Sequence, residues 1–345
     1  MEKQLFAAVD IVSTVAEFVD DNQYLFFASV SRGWRDVWGK RPTVTKALTA
    51  DTSVPQLSLS FECGLRRTAA VCETVAGLGR LDLLRRARAL GCPWNENTCY
   101  VAAKAGHLHV LVWARQNGCR WGRDTCMAAM GAARTSVEAA EGGHVHVLQW
   151  LRDNGCALGP STCAGAARGG HLHALQWLRE KRCDWNSDTC MAAASGGHLG
   201  VLQWARLNGC IWDTSTCWAA AQQGHLEVLR WARANGCGWG PSTCWGAAKE
   251  GHLGILQWAR SNGCVWTSGT CWGAARGGHL HVLQWARAQG CAWNATTCCG
   301  AAKEGHLHVL IWARQNGCPW DIRTITYAEK GGHNHVVRWA RAHGL

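Results

Sequence analysis

Residues 216–242 read TCWAAAQQGHLEVLRWARANGCGWGPS, and this 27-residue phrase decides the fold. Its Gly-His core returns every 27 residues along most of the chain. The histidines of this series are His144, His171, His198, His225, His252, His279, His306 and His333. His107 lies 37 residues before His144, and Arg80 takes the equivalent place 27 residues before His107. The spacing predicts ten copies of one unit over residues 71–345, with a ten-residue insertion near residues 131–140.

Each unit carries the pattern of two short helices. Thr216 precedes an alanine-rich run and is a candidate N-cap, and Gly224 ends the first helix because glycine accepts a left-handed backbone. After His225, one buried stripe of a second helix is formed by Leu226, Val228, Leu229 and Ala232. Helices this short are not stable alone, so they must pack against neighbouring units. The sequence predicts an all-α solenoid of about ten helix–turn–helix repeats.

The units resemble the ankyrin repeat. Residues 306–318, HLHVLIWARQNGC, resemble the second helix of that family, and residues 301–306, AAKEGH, resemble the junction before it. The unit has 27 residues instead of about 33, and the missing part corresponds to the β-hairpin finger. Short Trp- and Cys-rich units of this kind are similar to those expanded in algae, oomycetes and large DNA viruses. The resemblance implies stacked helix pairs without fingers.

The 22 tryptophans lie mostly on the repeat lattice. One series lies in the second helices: Trp113, Trp150, Trp177, Trp204, Trp231, Trp258, Trp285, Trp312 and Trp339. Another follows the Gly-Cys step: Trp94, Trp121, Trp185, Trp212, Trp239, Trp266, Trp293 and Trp320. Because both series recur in nearly every unit, we favour core packing over stacking platforms for single-stranded nucleic acid.

The 20 cysteines follow the same lattice. Nine open the first helices, and nine follow the second helices; only Cys63 and Cys299 lie off these positions. The spacings, seven and twenty residues, differ from those of zinc sites, and no secretion signal favours disulfides. We interpret the cysteines as small apolar core residues and expect no metal or cofactor.

Residues 10–35, DIVSTVAEFVDDNQYLFFASVSRGWR, resemble an F-box. The resemblance implies contact with a Skp-like adaptor of ubiquitin ligases through Ile11, Val15, Phe18 and Leu25. A helical cap on the solenoid is an equal alternative, and both interpretations stay open. We divide the chain into an F-box-like helical module (1–40), a linker region carrying one further helix (41–70) and the ankyrin-like solenoid (71–345).

The formal charge is +11, from 35 Lys and Arg against 24 Asp and Glu. One arginine per unit, from Arg115 to Arg341, forms a ladder that could track phosphates. We favour instead a solvated helix face whose arginine stems lie across tryptophan rings. No Walker loop, nucleophile elbow or HExxH sequence is present, and a nucleophile–base pair would occur once and not in every unit. The sequence therefore predicts a protein that is not an enzyme.

In the ankyrin family, the residues before Gly-His and an earlier first-helix position face the binding groove. Here these positions vary between units that are otherwise uniform, as a recognition surface requires. The candidates are Lys104, Arg168, Gln222, Gln223, Lys249, Glu250, Arg276, Lys303, Glu304, Trp218, Trp245 and Trp272. The three tryptophans either form an apolar strip for a partner or fill gaps between repeats.

These patterns predict a non-enzymatic protein–protein interaction scaffold, with a role as substrate receptor of an SCF-type ubiquitin ligase as the finer hypothesis. The alternative is a basic solenoid that binds nucleic acid through its arginine ladder, which we favour less. We expect an intracellular monomer, in the cytoplasm or nucleus, with no membrane segment and no secretion.

Overall fold

The structure, a computed structural model, describes residues 48–62, 65–119 and 126–345, with backbone alone for residues 126–133. The F-box-like residues Ile11, Val15, Phe18 and Leu25 lie outside these ranges. Internal contacts divide the chain into two compact units with the boundary between Ala157 and Leu158. Each unit is described by itself.

The first unit contains seven described helices. They are α1 (Val54–Glu62), α2 (Ala69–Gly77), α3 (Leu81–Ala89), α4 (Glu96–Lys104), α5 (Leu108–Gln116), α6 (Cys126–Glu141) and α7 (Val145–Asp153). Helix α1 falls in the predicted linker region, buries Leu57 and Phe61, and packs against α3. The remaining helices form three antiparallel pairs, whose first members α2, α4 and α6 pack on one another.

The second unit contains seven helix pairs. They are α8 (Pro160–Arg168), α9 (Leu172–Glu180), α10 (Ser187–Ser195), α11 (Leu199–Leu207), α12 (Thr214–Gln222), α13 (Leu226–Ala234), α14 (Pro241–Lys249), α15 (Leu253–Ser261), α16 (Ser268–Arg276), α17 (Leu280–Ala288), α18 (Ala295–Lys303), α19 (Leu307–Gln315), α20 (Arg323–Lys330) and α21 (Asn334–Ala342). The first helices of successive pairs pack in one column. No strand occurs in the described ranges, which confirms an all-α fold of ten helix–turn–helix repeats.

The first helices begin earlier than the sequence suggested. Helix α12 starts at Thr214, and its N-cap is Asp213, whose side chain accepts a hydrogen bond from the backbone N–H of Ser215. Thr216 is therefore not the cap; it is fully buried in the first turn. The prediction was wrong because the N-cap residue changes from unit to unit, being Asn95, Asp213 and Thr267 in three of them, whereas the threonine recurs.

Glycine ends both helices of a unit, as predicted. Gly224 after α12 and Gly236 after α13 both have φ of 85°, in the left-handed region that only glycine adopts without steric cost. One repeat departs from this rule. Arg182 follows α9 at the place of Gly236, with φ of 60°, and among the described residues it is the one non-glycine residue with positive φ.

The insertion is helical. Helix α6 has 16 residues, where the other first helices have eight or nine. Thr135 and Ser136 are fully buried and stand nine and eight residues before His144, which is the register of Thr216 and Cys217 before His225. The additional residues therefore precede Thr135, which shifts the insertion towards the N-terminus from the predicted 131–140. The predicted position was wrong because Thr125-Cys126 matches the Thr-Cys sequence that opens the first helices of other units.

Histidines join successive repeats. The Nε2 atom of His252 lies 3.1 Å from the carbonyl oxygen of Gln222, and that of His225 lies 3.1 Å from the carbonyl oxygen of Ser195. An imidazole N–H that donates here satisfies a carbonyl at the end of the preceding first helix. Where the unit reads His-x-His, the second ring also contacts the preceding repeat, as His308 Nε2 does at 3.3 Å from the Gly278 carbonyl oxygen.

Tryptophans of the two lattice series meet at seven repeat boundaries in the described ranges. Trp212, which follows one second helix, meets Trp231 of the next edge to face, with centroids 5.7 Å apart. The Arg206 guanidinium lies 4.3 Å from the Trp212 centroid, so each contact is an Arg–Trp–Trp cluster. The rings are half-buried and not fully buried core. They pack the repeats together, as expected, from the edge of the core.

Candidate protein-binding surface

Trp218, Trp245 and Trp272 occupy the same position in the successive first helices α12, α14 and α16. The indoles of Trp245 and Trp272 are nearly parallel, at 18°, with centroids 6.0 Å apart. All three rings are half-buried, so each leaves one part accessible. Together with the polar residues around them, they define the first-helix surface, the candidate site of this chain.

Glycines in the next helix make room for these rings. A Cβ atom at Gly273 would lie 2.9 Å from Cδ1 of Trp245, and one at Gly300 would lie 2.8 Å from Cδ1 of Trp272. Both distances are shorter than side-chain carbons tolerate, so each tryptophan requires glycine in the next repeat. The rings therefore fill gaps between repeats and also contribute to the surface. The two roles considered from the sequence, gap filling and an apolar strip, are compatible with each other.

Cations flank the indoles one helical turn later. Lys249 Nζ lies 5.8 Å from the Trp245 ring centroid, and the Arg276 guanidinium lies 5.5 Å from that of Trp272. Both pairs are separated by four residues, which places their side chains on the same helix face. Gln222 has the same relation to Trp218. The surface therefore alternates aromatic rings with polar or cationic heads.

Each of these cations forms an ion pair with a carboxylate. Lys249 Nζ lies 2.7 Å from Glu250 Oε1, and Arg276 Nε lies 3.0 Å from Glu304 Oε1 across the repeat boundary. Hydrogen bonding from Lys249 lowers the pKa of the Glu250 carboxyl, with a smaller contribution from Gln222. Glu250 is thus held ionised at neutral pH. The surface presents paired charges of both signs and not a purely basic face.

The structure gathers most of the predicted site residues on four successive first helices. Gln223 and Lys303 are exposed on this surface, beside the residues already described. Arg168 is exposed at the end of α8, two first helices before Trp218. Lys104 belongs to the first unit, where its ammonium lies 3.0 Å from Glu138 and 3.6 Å from Glu141 of α6.

Five large apolar side chains of the described residues are exposed, and the sequence did not single them out: Leu207, Ile211, Val265, Ile322 (63%) and Tyr327 (39%). Leu207, Ile211 and Val265 are 86%, 65% and 61% exposed. Ile211 and Val265 both stand between the lattice Cys and Trp, where other units carry Asp184, Gly238 or Ala292. A large apolar residue at a position that is polar or small in other units could have identified Ile211 and Val265 as exposed apolar side chains.

Six of the nine ladder arginines, from Arg179 to Arg314, donate to a backbone carbonyl of their own repeat. Arg233 Nη1 donates to the carbonyl oxygen of Cys237, and its guanidinium lies 4.3 Å from the Trp239 centroid. Arg260 repeats the arrangement one unit later, 4.2 Å from the Trp266 centroid. Each such arginine satisfies a carbonyl beyond the end of its helix and covers an indole. This geometry favours the interpretation of a packed helix face over a row of phosphate contacts.

Over the part of the chain that the structure describes, no three His, Cys, Asp or Glu side chains are placed to share a metal ion. In those same ranges, no helix combines the length and apolar character needed to span a membrane.

Neither a protein-family model nor a curated protein matches this sequence. Solved structures of helical-repeat proteins show partial likeness. The human ASB11 ankyrin repeat domain has a TM-score of 0.36 and 17% identity, over 48% of this chain and 84% of that one. The maize pentatricopeptide repeat protein PPR10 has a TM-score of 0.33 and 14% identity, over 84% of this chain and 52% of that one. At these TM-scores, neither defines the function of this chain.

Proposed function

We propose that the protein is a non-enzymatic scaffold that binds a partner protein on the first-helix surface of its second unit. The observation that carries the proposal is the stacked pair Trp245 and Trp272, with Lys249 and Arg276 beside them and Trp218 at the same position of the preceding first helix. Half-buried aromatic rings held rigidly by their neighbours lose little entropy on binding and anchor many protein interfaces. The proposal places the protein inside the cell, in the cytoplasm or nucleus.

The same surface also suggests the character of the partner. The indoles provide flat apolar area. Gln222, Gln223 and Lys303 provide polar groups at positions whose residues differ from unit to unit. Charges of both signs at Lys249–Glu250 and Arg276–Glu304 favour a polypeptide with mixed charge over a polyanion. A protein segment that lies across several repeats would contact all of these groups.

The test is affinity purification of the full chain with quantitative mass spectrometry. The variant Lys249→Glu/Arg276→Glu reverses two charges on the first-helix surface, and Arg230→Glu/Arg338→Glu makes the same change on exposed second-helix positions. We expect a reproducible partner to be lost with the first variant and retained with the second. Recovery of the same proteins by both variants would show that the first-helix surface is not the binding site.

Nucleic acid is the competing ligand in this test. A basic array that tracks phosphates binds DNA or RNA with an affinity that falls steeply with salt concentration. We expect no such binding at physiological salt, because six arginines of the ladder already donate to carbonyls such as that of Cys237. Steeply salt-dependent binding that survives Lys249→Glu/Arg276→Glu would replace the proposal with the ladder hypothesis.

The N-terminal resemblance adds a finer proposal, a substrate receptor of an SCF-type ubiquitin ligase that holds a Skp-like adaptor through Ile11, Val15, Phe18 and Leu25. Under this proposal, Val15→Asp abolishes co-purification of the adaptor and leaves the melting of residues 98–345 unchanged. If residues 1–40 are only a cap, the same change lowers repeat stability by roughly a few kcal/mol through a buried charge. Failure to recover any Skp-like protein with the unchanged chain would leave the scaffold alone.

A further inference from the structure

In eight of the ten repeats, two lattice cysteines form a pair. One cysteine lies in the first turn of the first helix, and the other, 20 residues later, follows the second helix. We call these two residues a thiol pair. The pairs are Cys72/Cys92, Cys99/Cys119, Cys163/Cys183, Cys190/Cys210, Cys217/Cys237, Cys244/Cys264, Cys271/Cys291 and Cys298/Cys318. All of these side chains are buried.

In two pairs the sulfur atoms lie within hydrogen-bonding distance of each other. Cys163 Sγ lies 3.5 Å from Cys183 Sγ, and Cys244 Sγ lies 3.3 Å from Cys264 Sγ. A closure of roughly 1.4 Å would bring these sulfurs to the length of a disulfide bond. In five further pairs, those that begin at Cys99, Cys190, Cys217, Cys271 and Cys298, interaction with the second thiol raises the pKa of the first.

The two thiols of a pair differ chemically. The hydrogen bond from the Cys163 thiol lowers the pKa of Cys183, and the Arg179 guanidinium acts in the same direction. The pKa of Cys163 is raised, first by its hydrogen bond to Cys183 and then by burial. The Cys163/Cys183 pair therefore combines a thiol whose pKa is raised with one whose pKa is lowered, although Cys183 Sγ also donates to the Gly159 carbonyl oxygen. This is the division of labour of a nucleophilic and a resolving cysteine. The Cys72/Cys92 pair is different, because burial raises the pKa of both thiols.

We propose that the thiol pairs are oxidation sites at which a peroxide closes one disulfide within a repeat that carries both cysteines. The Cys183 thiolate attacks one oxygen of hydrogen peroxide, the O–O bond breaks, and the departing hydroxide takes a proton to become water. The Cys163 sulfur then attacks the Cys183 sulfenic acid and displaces a second water. Two thiols and one peroxide thus give one disulfide and two waters, and two electrons pass from sulfur to oxygen.

Two repeats lack a complete thiol pair. In the last repeat, Ile325 and Leu345 take both cysteine positions, so both thiols are absent together. In the third repeat, Ser136 stands at the first position and Cys156 at the second. Cys299 lies off the lattice, with its sulfur 3.9 Å from Thr324 Oγ1. Cys156 and Cys299 are therefore internal controls that the proposal predicts to stay reduced.

The test uses the full-length protein, fully reduced and then exposed in its native state to graded hydrogen peroxide. Remaining thiols are alkylated in denaturant, and linked peptides are identified by mass spectrometry. We expect Cys163–Cys183 and Cys244–Cys264 linkages to accumulate, with Cys156 and Cys299 alkylated and the helical circular dichroism unchanged. Linkages between different repeats, or lattice thiols that all stay alkylated or pass only to sulfinic acid, would overturn the proposal.

A variant separates the two chemical roles. With Cys163→Ser, the sulfenic acid of Cys183 has no resolving thiol and is expected to accumulate, detectable as a dimedone adduct that the unchanged protein lacks. Cys299→Ser is the matched control and leaves the linkage map as it was. No dimedone adduct on Cys183 in a folded Cys163→Ser variant would contradict the assigned order. If that variant does not fold, the linkage map of the unchanged protein decides the proposal.

Discussion

The imidazole rings of His306 and His308 meet edge to face, with centroids 6.1 Å apart. Both rings reach the preceding repeat: His306 hydrogen-bonds to the backbone of Arg276, and His308 Nε2 lies 3.3 Å from the Gly278 carbonyl oxygen. His279 and His281 repeat this ring contact one unit earlier. The neighbouring ring opposes protonation of His306 and of His279.

Stability is therefore expected to fall in mild acid. Burial lowers the pKa of His279 and His306, and the neighbouring histidines add to the effect. The unfolded chain binds protons near the ordinary pKa of 6.5, whereas the folded chain resists them, so stability is complete above about pH 6.5 and is lost as pH falls through the lowered pKa. Urea unfolding at pH 7.5 and pH 5 measures the loss. If His279→Gln/His306→Gln keeps the whole acid sensitivity, these two residues are not its source.

Gly273→Ala should destabilise the second unit by about 1–3 kcal/mol, because a Cβ atom there would lie 2.9 Å from Trp245. Gly254→Ala is the matched control on a second helix, where an added Cβ meets no atom within 4 Å. It should stabilise the protein by about 0.5–1 kcal/mol through helix propensity. Chemical denaturation distinguishes them, and equal effects of the two substitutions would contradict the packing of Trp245 on Gly273.

Trp231→Ala should cost about 2–3 kcal/mol, less than a fully buried tryptophan, because the ring is half-buried against Trp212. A double-mutant cycle with Trp212→Ala should give a coupling of about 0.5–1.5 kcal/mol for the edge-to-face contact. Unfolding in guanidinium provides the measurement. Additive effects would mean that the two rings stabilise the repeats independently.

Arg182→Gly should stabilise the protein, by up to about 1 kcal/mol, because the left-handed backbone at φ 60° has a steric cost for arginine. Gly236→Arg makes the opposite change at the equivalent place, where φ is 85° and no atom lies within 4 Å of an added Cβ. It should destabilise by about 1 kcal/mol. Thermal melts of both variants would contradict this account if the two shifts had the same sign.

The fold was predictable because the 27-residue period, the Gly-His junction and the apolar stripe of Leu226 and Leu229 all indicate one arrangement. Details carried by variable residues were not predictable. The N-cap Asp213 is replaced by other residues elsewhere, and Thr135 could not be distinguished from Thr125 as the lattice threonine. The sequence pattern could not locate the insertion, because Thr125 and Thr135 both fitted as the threonine that opens the first helix.

The candidate site was only partly visible in the sequence. Variation at Gln222, Lys249 and Arg276 identified the positions, but the ion pair from Arg276 to Glu304 depends on how adjacent repeats stack. The contact between Cys163 and Cys183 was likewise hidden, because twenty residues of chain separate two sulfurs that the fold brings together. Spacing rules for metal sites and disulfides do not describe a contact produced by a helical hairpin.

The match between each tryptophan and the glycine of the next repeat restricts how this gene can grow or shrink by whole units. A unit such as 243–269 carries both Trp245 and Gly246, so it can follow or precede a copy of itself. The unit with Trp218 and Ala219 has the tryptophan but lacks the glycine that would accommodate the tryptophan of a preceding unit. The unit with Cys299 and Gly300 has the glycine but lacks the tryptophan. Duplication of the middle units keeps every junction intact. Tyr327 holds the position of these glycines in the last unit. A deletion that made the unit with Trp218 adjacent to the last unit would place two large rings at one boundary. Unequal crossing-over is therefore expected to give some products that pack well and others that do not.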